Sequence, residues 1–260
     1  MFGFKACLIL LFTTGVIFGQ TGDKDEYNLL DNKSDWKQVF YDSGTKNWKS
    51  KWFLDGLKAT VKNSKEGMEL SAGPIAGDDS CHTVLWTKRS FKGNIKIEYD
   101  FTKTDTEKSQ VNILYIQATG LEPFASDISK WNDFRKVPSM KTYFDNMKCI
   151  HISYAAFDGE GNDYIRVRKY PRKLNEDFNT TTEIAPAYFD TDLFESGKTY
   201  KITIVKTNNK LYFKVKYKEN ERLFSWDLDS SLSVNEGRIG LRHMYTRSSM
   251  YKNFKVFTMP

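Results

Sequence analysis

The sequence predicts an all-β protein, a two-sheet antiparallel β-sandwich of the jelly-roll kind. Three observations carry that reading. Strand-like runs, alternating or continuously apolar, follow one another from about residue 51 to the end of the chain. Clusters of Asn, Asp, Gly, Ser and Lys punctuate them, and no stretch shows a helical apolar stripe. The 260 residues carry 15% aromatics and only 6 Pro, enough rings for a large core and far from a disordered composition. No repeat of ~40–50 residues is present, which argues against a propeller. One large β domain accounts for the length.

The elements follow in order. Residues 20–50 form a polar, irregular N-terminal segment, with Trp36, Phe40 and Trp48 anchoring it on the sandwich, and the jelly-roll domain is expected over 51–260. Runs 57–62 and 68–71 flank Asn63-Ser64-Lys65-Glu66-Gly67, a hairpin signal. Residues 82–90 are apolar and alternating. In 94–102, Ile95, Ile97, Tyr99 and Phe101 share one face. Residues 110–118 are more apolar and read as a central strand. Runs 149–157 and 163–170 surround the turn Asp158-Gly159-Glu160-Gly161-Asn162, and runs 199–207 and 210–218 surround Asn208-Asn209. Strands at 223–228, 237–244 and 251–258 finish the chain. Only 121–147 lacks a β pattern, and a short helix or a long loop is expected there.

Met1–Lys5 is short and basic, 6–18 is apolar, and Gly19 precedes a polar run, so residues 1–19 read as a secretory signal peptide and the protein as exported, to the periplasm or beyond. Export permits a disulfide between Cys81 and Cys149, and two free buried thiols fit equally well. Three His and three Cys make multi-zinc chemistry a poor fit. The net charge of +6 suits an anionic partner. Basic residues are spread rather than clustered, which argues against nucleic acid, and no amphipathic helix suggests a membrane surface. No cofactor is called for. A structural calcium at a sandwich edge, through Asp78, Asp79, Asp227 or Asp229, is the one metal use considered.

The ending Gly237-Arg238-Ile239-Gly240-Leu241-Arg242, then Tyr251-Lys252-Asn253-Phe254-Lys255-Val256, resembles the last strands of concanavalin-A-like jelly rolls. The segments His82-Thr83-Val84-Leu85-Trp86, His151-Ile152-Ser153-Tyr154, Arg166-Val167-Arg168 and Arg242-His243-Met244 together resemble a family of secreted bacterial jelly rolls long labelled as of unknown function. That resemblance implies genes placed among those for degrading acidic polysaccharides such as pectin and ulvan. The paired-carboxylate motif Glu-x-Asp-x-x-Glu of glycosidases in the superfamily is absent. Glu98 and Asp100 read as solvent-facing charges.

What remains is a set of His, Tyr and Arg residues expected in a concave groove. It matches what β-elimination on a uronic acid requires: a cation for the carboxylate, a base for the C5 proton and an acid for the leaving oxygen. Arg166 and Arg168, with Arg242 as helper, are expected to hold the anion. His82 and His151 are the base candidates. Tyr154 or Tyr245 is the acid candidate, with His243 nearby. Trp86 and Trp131 are candidate sugar platforms, and Asn112 and Gln117 candidate hydroxyl binders. Each has a plainer role open to it, as core residue or wet face. The expected function is a carbon-oxygen lyase or dehydratase acting on uronate-containing oligosaccharides or polysaccharides. The alternatives are a non-catalytic carbohydrate-binding module or lectin, and a glycoside hydrolase.

Overall fold

The structure, a computed structural model, describes residues 17–229, 232 and 234–259. Residues 1–16 of the expected signal peptide lie outside them. Two compact units divide at Ser34/Asp35. The first contains helix α1 (Ile17–Asp31), in which the Tyr27 hydroxyl donates to Asp31 one turn on, at 2.9 Å. Its apolar residues, Ile17, Phe18, Tyr27, Leu29 and Leu30, are confined to its two ends rather than spaced along one face, so no apolar stripe announced it, and 20–31 are helical where irregular chain was expected. No described helix is long and apolar enough to cross a membrane.

The second unit is the sandwich. Its strands are β1 (Lys37–Asp42), β2 (Trp52–Asp55), β3 (Thr60–Ser64), β4 (Gly67–Ser71), β5 (Thr83–Thr87), β6 (Phe91–Lys92), β7 (Asn94–Lys103) and β8 (Asn112–Gly120). After these come β9 (Met147–Phe157), β10 (Asp163–Tyr170), β11 (Glu183–Phe189), β12 (Thr199–Lys206), β13 (Lys210–Tyr217), β14 (Asn220–Asp227), β15 (Glu236–His243) and β16 (Ser248–Met259). The first sheet runs β14-β13-β12-β7-β16-β4-β3, with β1 also on β16. The second runs β11-β10-β9-β8-β15-β5-β2, with β6 also on β15. The paired strands are antiparallel, as the jelly-roll reading requires. Strand β1 extends the first sheet into the stretch expected to be irregular.

The main core lies between the sheets. Leu85, Leu114, Ile116, Ile150, Ile152, Ile239 and Leu241 of the second sheet meet Ile95, Ile97, Phe101, Ile202, Ile204 and Phe213 of the first. A second apolar cluster covers the opposite face of the second sheet. Residues 121–146 supply its cover, folding as a 3-10 segment (Ile128–Arg135) and helix α2 (Met140–Asn146), and α3 (Phe178–Thr182) adds to it. Strands β5 and β9 are therefore buried almost without a break, whereas β7 alternates along its second half with one face toward solvent. The stretch without β pattern is thus the layer that roofs the outer face of the second sheet.

Candidate functional site

Strand register builds the site on that roofed face. Pairings Trp86↔Gly240, Gly240↔Tyr115, Tyr115↔His151 and His151↔Arg168 lay one row of side chains across five strands. A neighbouring row carries Asp55, Val84, Arg242, Ile113, Ser153 and Arg166. Directly opposed residues in such rows stand about 4.5–5.5 Å apart at Cβ and interact. Gly240 is required here: a Cβ on it would lie 2.5 Å from the Trp86 ring that packs over it.

One buried carboxylate gathers three parts of this face. Asp55 accepts from Trp86 Nε1 (2.7 Å) in the sheet, from Arg135 Nε (2.6 Å) and Asn132 in the 3-10 segment, and from Tyr143 OH (2.9 Å) in α2. Burial pushes the Asp55 carboxyl up, with Arg135 pulling against it. At the start of the cover, Arg238 forks onto Asp127 at 2.9 and 3.1 Å. Trp86, Tyr115 and Tyr143 stack nearly parallel, with centroids 5.3 to 6.4 Å apart.

Arg242, fully buried at 0% exposure, stands at the centre. Its Nη2 donates to Pro138 O (2.7 Å) and to His82 Nδ1 (2.8 Å), and its guanidinium lies 4.6 Å from the Tyr143 ring centre. A guanidinium only donates, so Nδ1 of His82 accepts and the ring proton sits on Nε2. Burial first, then Arg242, pushes His82 down to about 3. Arg242 Nε and Nη1 find no acceptor of good geometry among the described residues. Tyr115 OH lies near Tyr170 and Arg242 without a hydrogen bond of good geometry, and Tyr170 OH and both ring nitrogens of His151 likewise lack one among the described residues. His151, 1% exposed, lies 4.8 Å from the Tyr170 ring and 5.6 Å from that of Tyr115. Burial, then Arg168 and Arg242, hold it well below the ordinary histidine value. Burial pushes Tyr115 up to about 12 while Arg242 pulls it down.

The expected residues divide between the two faces. His82, His151, Arg242, Trp86, Arg166 and Arg168 share the roofed face with Tyr245, whose ring stacks on His82 at 4.8 Å. Tyr154, His243 and Asn112 point the other way, into the inter-sheet core, which removes them from any site on the roofed face. Tyr154 packs against Phe101 and Phe213 at 5.1 and 5.7 Å, and burial pushes its hydroxyl well above the ordinary value. His243 Nε2 meets Tyr251 OH at 2.8 Å, and Asn112 donates to Ser249 Oγ at 2.8 Å. Gln117 takes a left-handed φ of 52° and its amide nitrogen ties strand ends together through Phe91 O and Gly93 O.

Neither tryptophan is a platform. Trp131 has Phe124 stacked at 4.5 Å and the Arg135 guanidinium at 4.2 Å, and Trp86 is wholly buried. Arg166 and Arg168 do not form a free clamp. Arg168 donates to Thr182 Oγ1 and Asn179 Oδ1, both at 2.7 Å, and Arg166 Nε lies 3.6 Å from Glu183. Asp78 is engaged by Lys58 at 2.6 Å and Asp227 by Lys210 at 2.8 Å, and no metal-holding group of acids, His or Cys forms among the described residues. Cys81 and Cys149 are free, buried thiols. Sequence reasoning missed Asp55, Tyr115, Tyr143 and Tyr170. Tyr170 was within reach, since it continues the parity of Arg166 and Arg168.

The fold is shared widely. A Bacillus subtilis protein of unknown function with a galectin-like fold is 16% identical and aligns over 86% of this chain and all of that one, with a TM-score of 0.65. Lectin II from Ulex europaeus is 8% identical over 84% of this chain and 96% of that one, at 0.55. The exoplasmic/lumenal domain of VIP36, in a Ca2+/Man3GlcNAc-bound form, is 10% identical over 80% and 84%, at 0.53. These likenesses establish a galectin- and lectin-like jelly roll. No curated protein matches the sequence. Residues 42–256, nearly the whole sandwich, match the family model described as "Domain of unknown function (DUF1961)", and the chain belongs to that family.

Proposed function

We propose that the protein is a carbohydrate-binding jelly roll, and that the sugar unit it takes is acidic, with Arg242 as the cation that receives its carboxylate. One observation carries the reading. Arg242 is a fully buried charge with no carboxylate partner among the described residues, its Nε and Nη1 lack an acceptor of good geometry, and Tyr115, Tyr170 and the neutral ring of His151 stand near it on the same face, close enough for Arg242 to act on Tyr115 and His151. A buried charge is costly unless paired. A carboxylate can accept from guanidinium and phenols together. The lectin-like fold supports a sugar as the bearer of that carboxylate. The resemblance to jelly rolls encoded beside pectin- and ulvan-degrading enzymes supports a uronate. The basic, then apolar, N-terminus supports export to where such polysaccharides are met.

The test is calorimetric titration with uronate oligosaccharides and their neutral, carboxyl-reduced counterparts. Arg242→Gln should weaken uronate binding about thirtyfold or more, the effect of removing one partner of a buried charge pair. Tyr170→Phe, which deletes one hydroxyl, should weaken it about fivefold. Equal affinity for the neutral counterparts, or wild-type affinity in both variants, overturns the reading.

A second reading is favoured by His151 in particular. Its ring is neutral, its nitrogens are unengaged, and it lies beside two phenols and two guanidinium groups. In an elimination, His151 takes the C5 proton, the C4–O bond breaks as a C4=C5 double bond forms, and the leaving oxygen takes its proton from Tyr115 or Tyr170. Appearance of the ultraviolet absorbance of an unsaturated uronate, lost in His151→Ala while binding persists, is the expected result. No absorbance with any uronate substrate leaves binding alone as the function.

A further inference from the structure

The outer face of the first sheet bears a second feature, unrelated to Arg242. Strand β16 changes neighbours there. Its C-terminal half pairs with β1 (Tyr41↔Lys255) and its N-terminal half with β4 (Tyr251↔Met68). At the changeover β16 holds one residue more than β7, between the pairs Lys252↔Asp100 and Lys255↔Glu98. Within that bulge Asn253 takes a φ of 54°, a left-handed conformation that costs a non-glycine residue energy and marks bulges that re-aim side chains. Asn253 Nδ2 donates to Asp100 Oδ2 at 2.7 Å, and its Oδ1 accepts from Tyr41 OH at 3.4 Å.

Two adjoining depressions, of about 530 and 450 Å³, share Asp100 and Asn253. Both volumes fall in the range that accepts small ligands. Charge around them balances, with Glu66, Glu98 and Asp100 against Lys201, Lys252 and Lys255, so the groove does not select an ion. Lys201 stands opposite Asp100 in strand register without pairing to it. Asp100 receives Asn253 on one oxygen only, and Tyr41 is 42% exposed. A carboxylate oxygen, an ammonium donor, a fixed amide and a half-exposed ring, with the Lys51 ammonium 5.9 Å from its centre, thus stand together. They complement the vicinal hydroxyls and the C–H face of a pyranose.

We infer that this groove is a second saccharide site, taking neutral pyranose units of a polysaccharide on the side of the sandwich away from Arg242. It goes beyond the acidic-sugar reading, since it draws on no residue of that site. It would let one molecule hold a neutral stretch of chain while the roofed face meets an acidic unit.

The experiment is backbone-amide NMR on the full chain, titrated with neutral tetrasaccharides of glucose, xylose, mannose and galactose at millimolar concentrations. The expected result is that at least one sugar shifts the amides around Tyr41, Asp100, Lys201 and Asn253. Tyr41→Ala and Asp100→Asn, each with an otherwise unchanged spectrum, should weaken that binding about tenfold, while Arg242→Gln leaves it intact. The inference is overturned if no sugar shifts these amides, if shifts persist at wild-type affinity in both groove variants, or if they map to β8–β10 and vanish with Arg242→Gln.

Discussion

His82, His151 and His243 each sit where a positive ring is disfavoured, by burial and then by a neighbouring arginine. In the unfolded chain a histidine titrates near ~6.5, whereas in the fold His82 and His243 titrate at about 3. Below ~6.5 the unfolded state therefore binds more protons than the folded state, and stability falls as the pH falls, by about 1.4 kcal/mol per pH unit for each fully titrating ring. Urea unfolding measured between about pH 7 and pH 5 should show this loss, and His82→Gln should remove roughly a third of its slope. A stability that is flat across that interval rules the argument out. Parity along a strand made part of this set legible. His82, Val84 and Trp86 were expected on one face and lie on one face. Parity says which residues lie together, but not which side faces the other sheet. Tyr154 shares its parity with Ile150 and Ile152, and His243 with Ile239 and Leu241, so the alternation already set both on the apolar side, and it was their chemistry rather than their position that made them candidates. Ala155, at a φ of 44°, breaks the alternation in β9 with no mark in the sequence and joins the inter-sheet core with Tyr154.

Among the elements, strands with clear alternation were readable in advance. The even spacing of Ile95, Ile97, Tyr99 and Phe101 is the buried row of β7, and the Asn208-Asn209 turn joins β12 to β13. The cover was not readable. Its pieces are short, the 3-10 segment is kinked at Trp131, and its anchor on Asp55 spans 77 to 88 residues of sequence, beyond any local pattern. That anchor carries a prediction. Asp55→Ala would strand Arg135 as a buried charge and leave the donors of Trp86 and Tyr143 unmet, at a cost of about 3–5 kcal/mol. Denaturant unfolding measures the loss, and limited proteolysis should newly cut within residues 121–146. A loss under about 1 kcal/mol with no new cleavage would mean the cover is held by its rings and its other ties, such as Arg238 on Asp127.

At the scale of the whole molecule, the sandwich and its roof bury so much of the second sheet that both thiols of the domain are inaccessible. Burial pushes the Cys149 thiol far up, away from the reactive thiolate. Native protein should therefore fail to react with a thiol-titrating disulfide reagent, both cysteines should react after denaturation, and a reductant should leave the melting temperature unchanged. A shift on reduction would mean the two are bridged. The jelly-roll class was legible because about a dozen runs, alternating or continuously apolar, follow one another between turn signals. The third layer was not, because it arises only once β2, β5 and residues 121–146 meet in space.

That layer bears on time as well as on shape. Arg242 has no exposed surface, so the sugar acid proposed for it would reach it only after the cover parts from the sheet. On that proposal the pace of association would be set by how often the Asp55 tie lets go, not by diffusion, and the observed rate should level off as ligand concentration rises. The same tie, once remade, would hold the ligand in, so residence would lengthen for the reason that entry is slow.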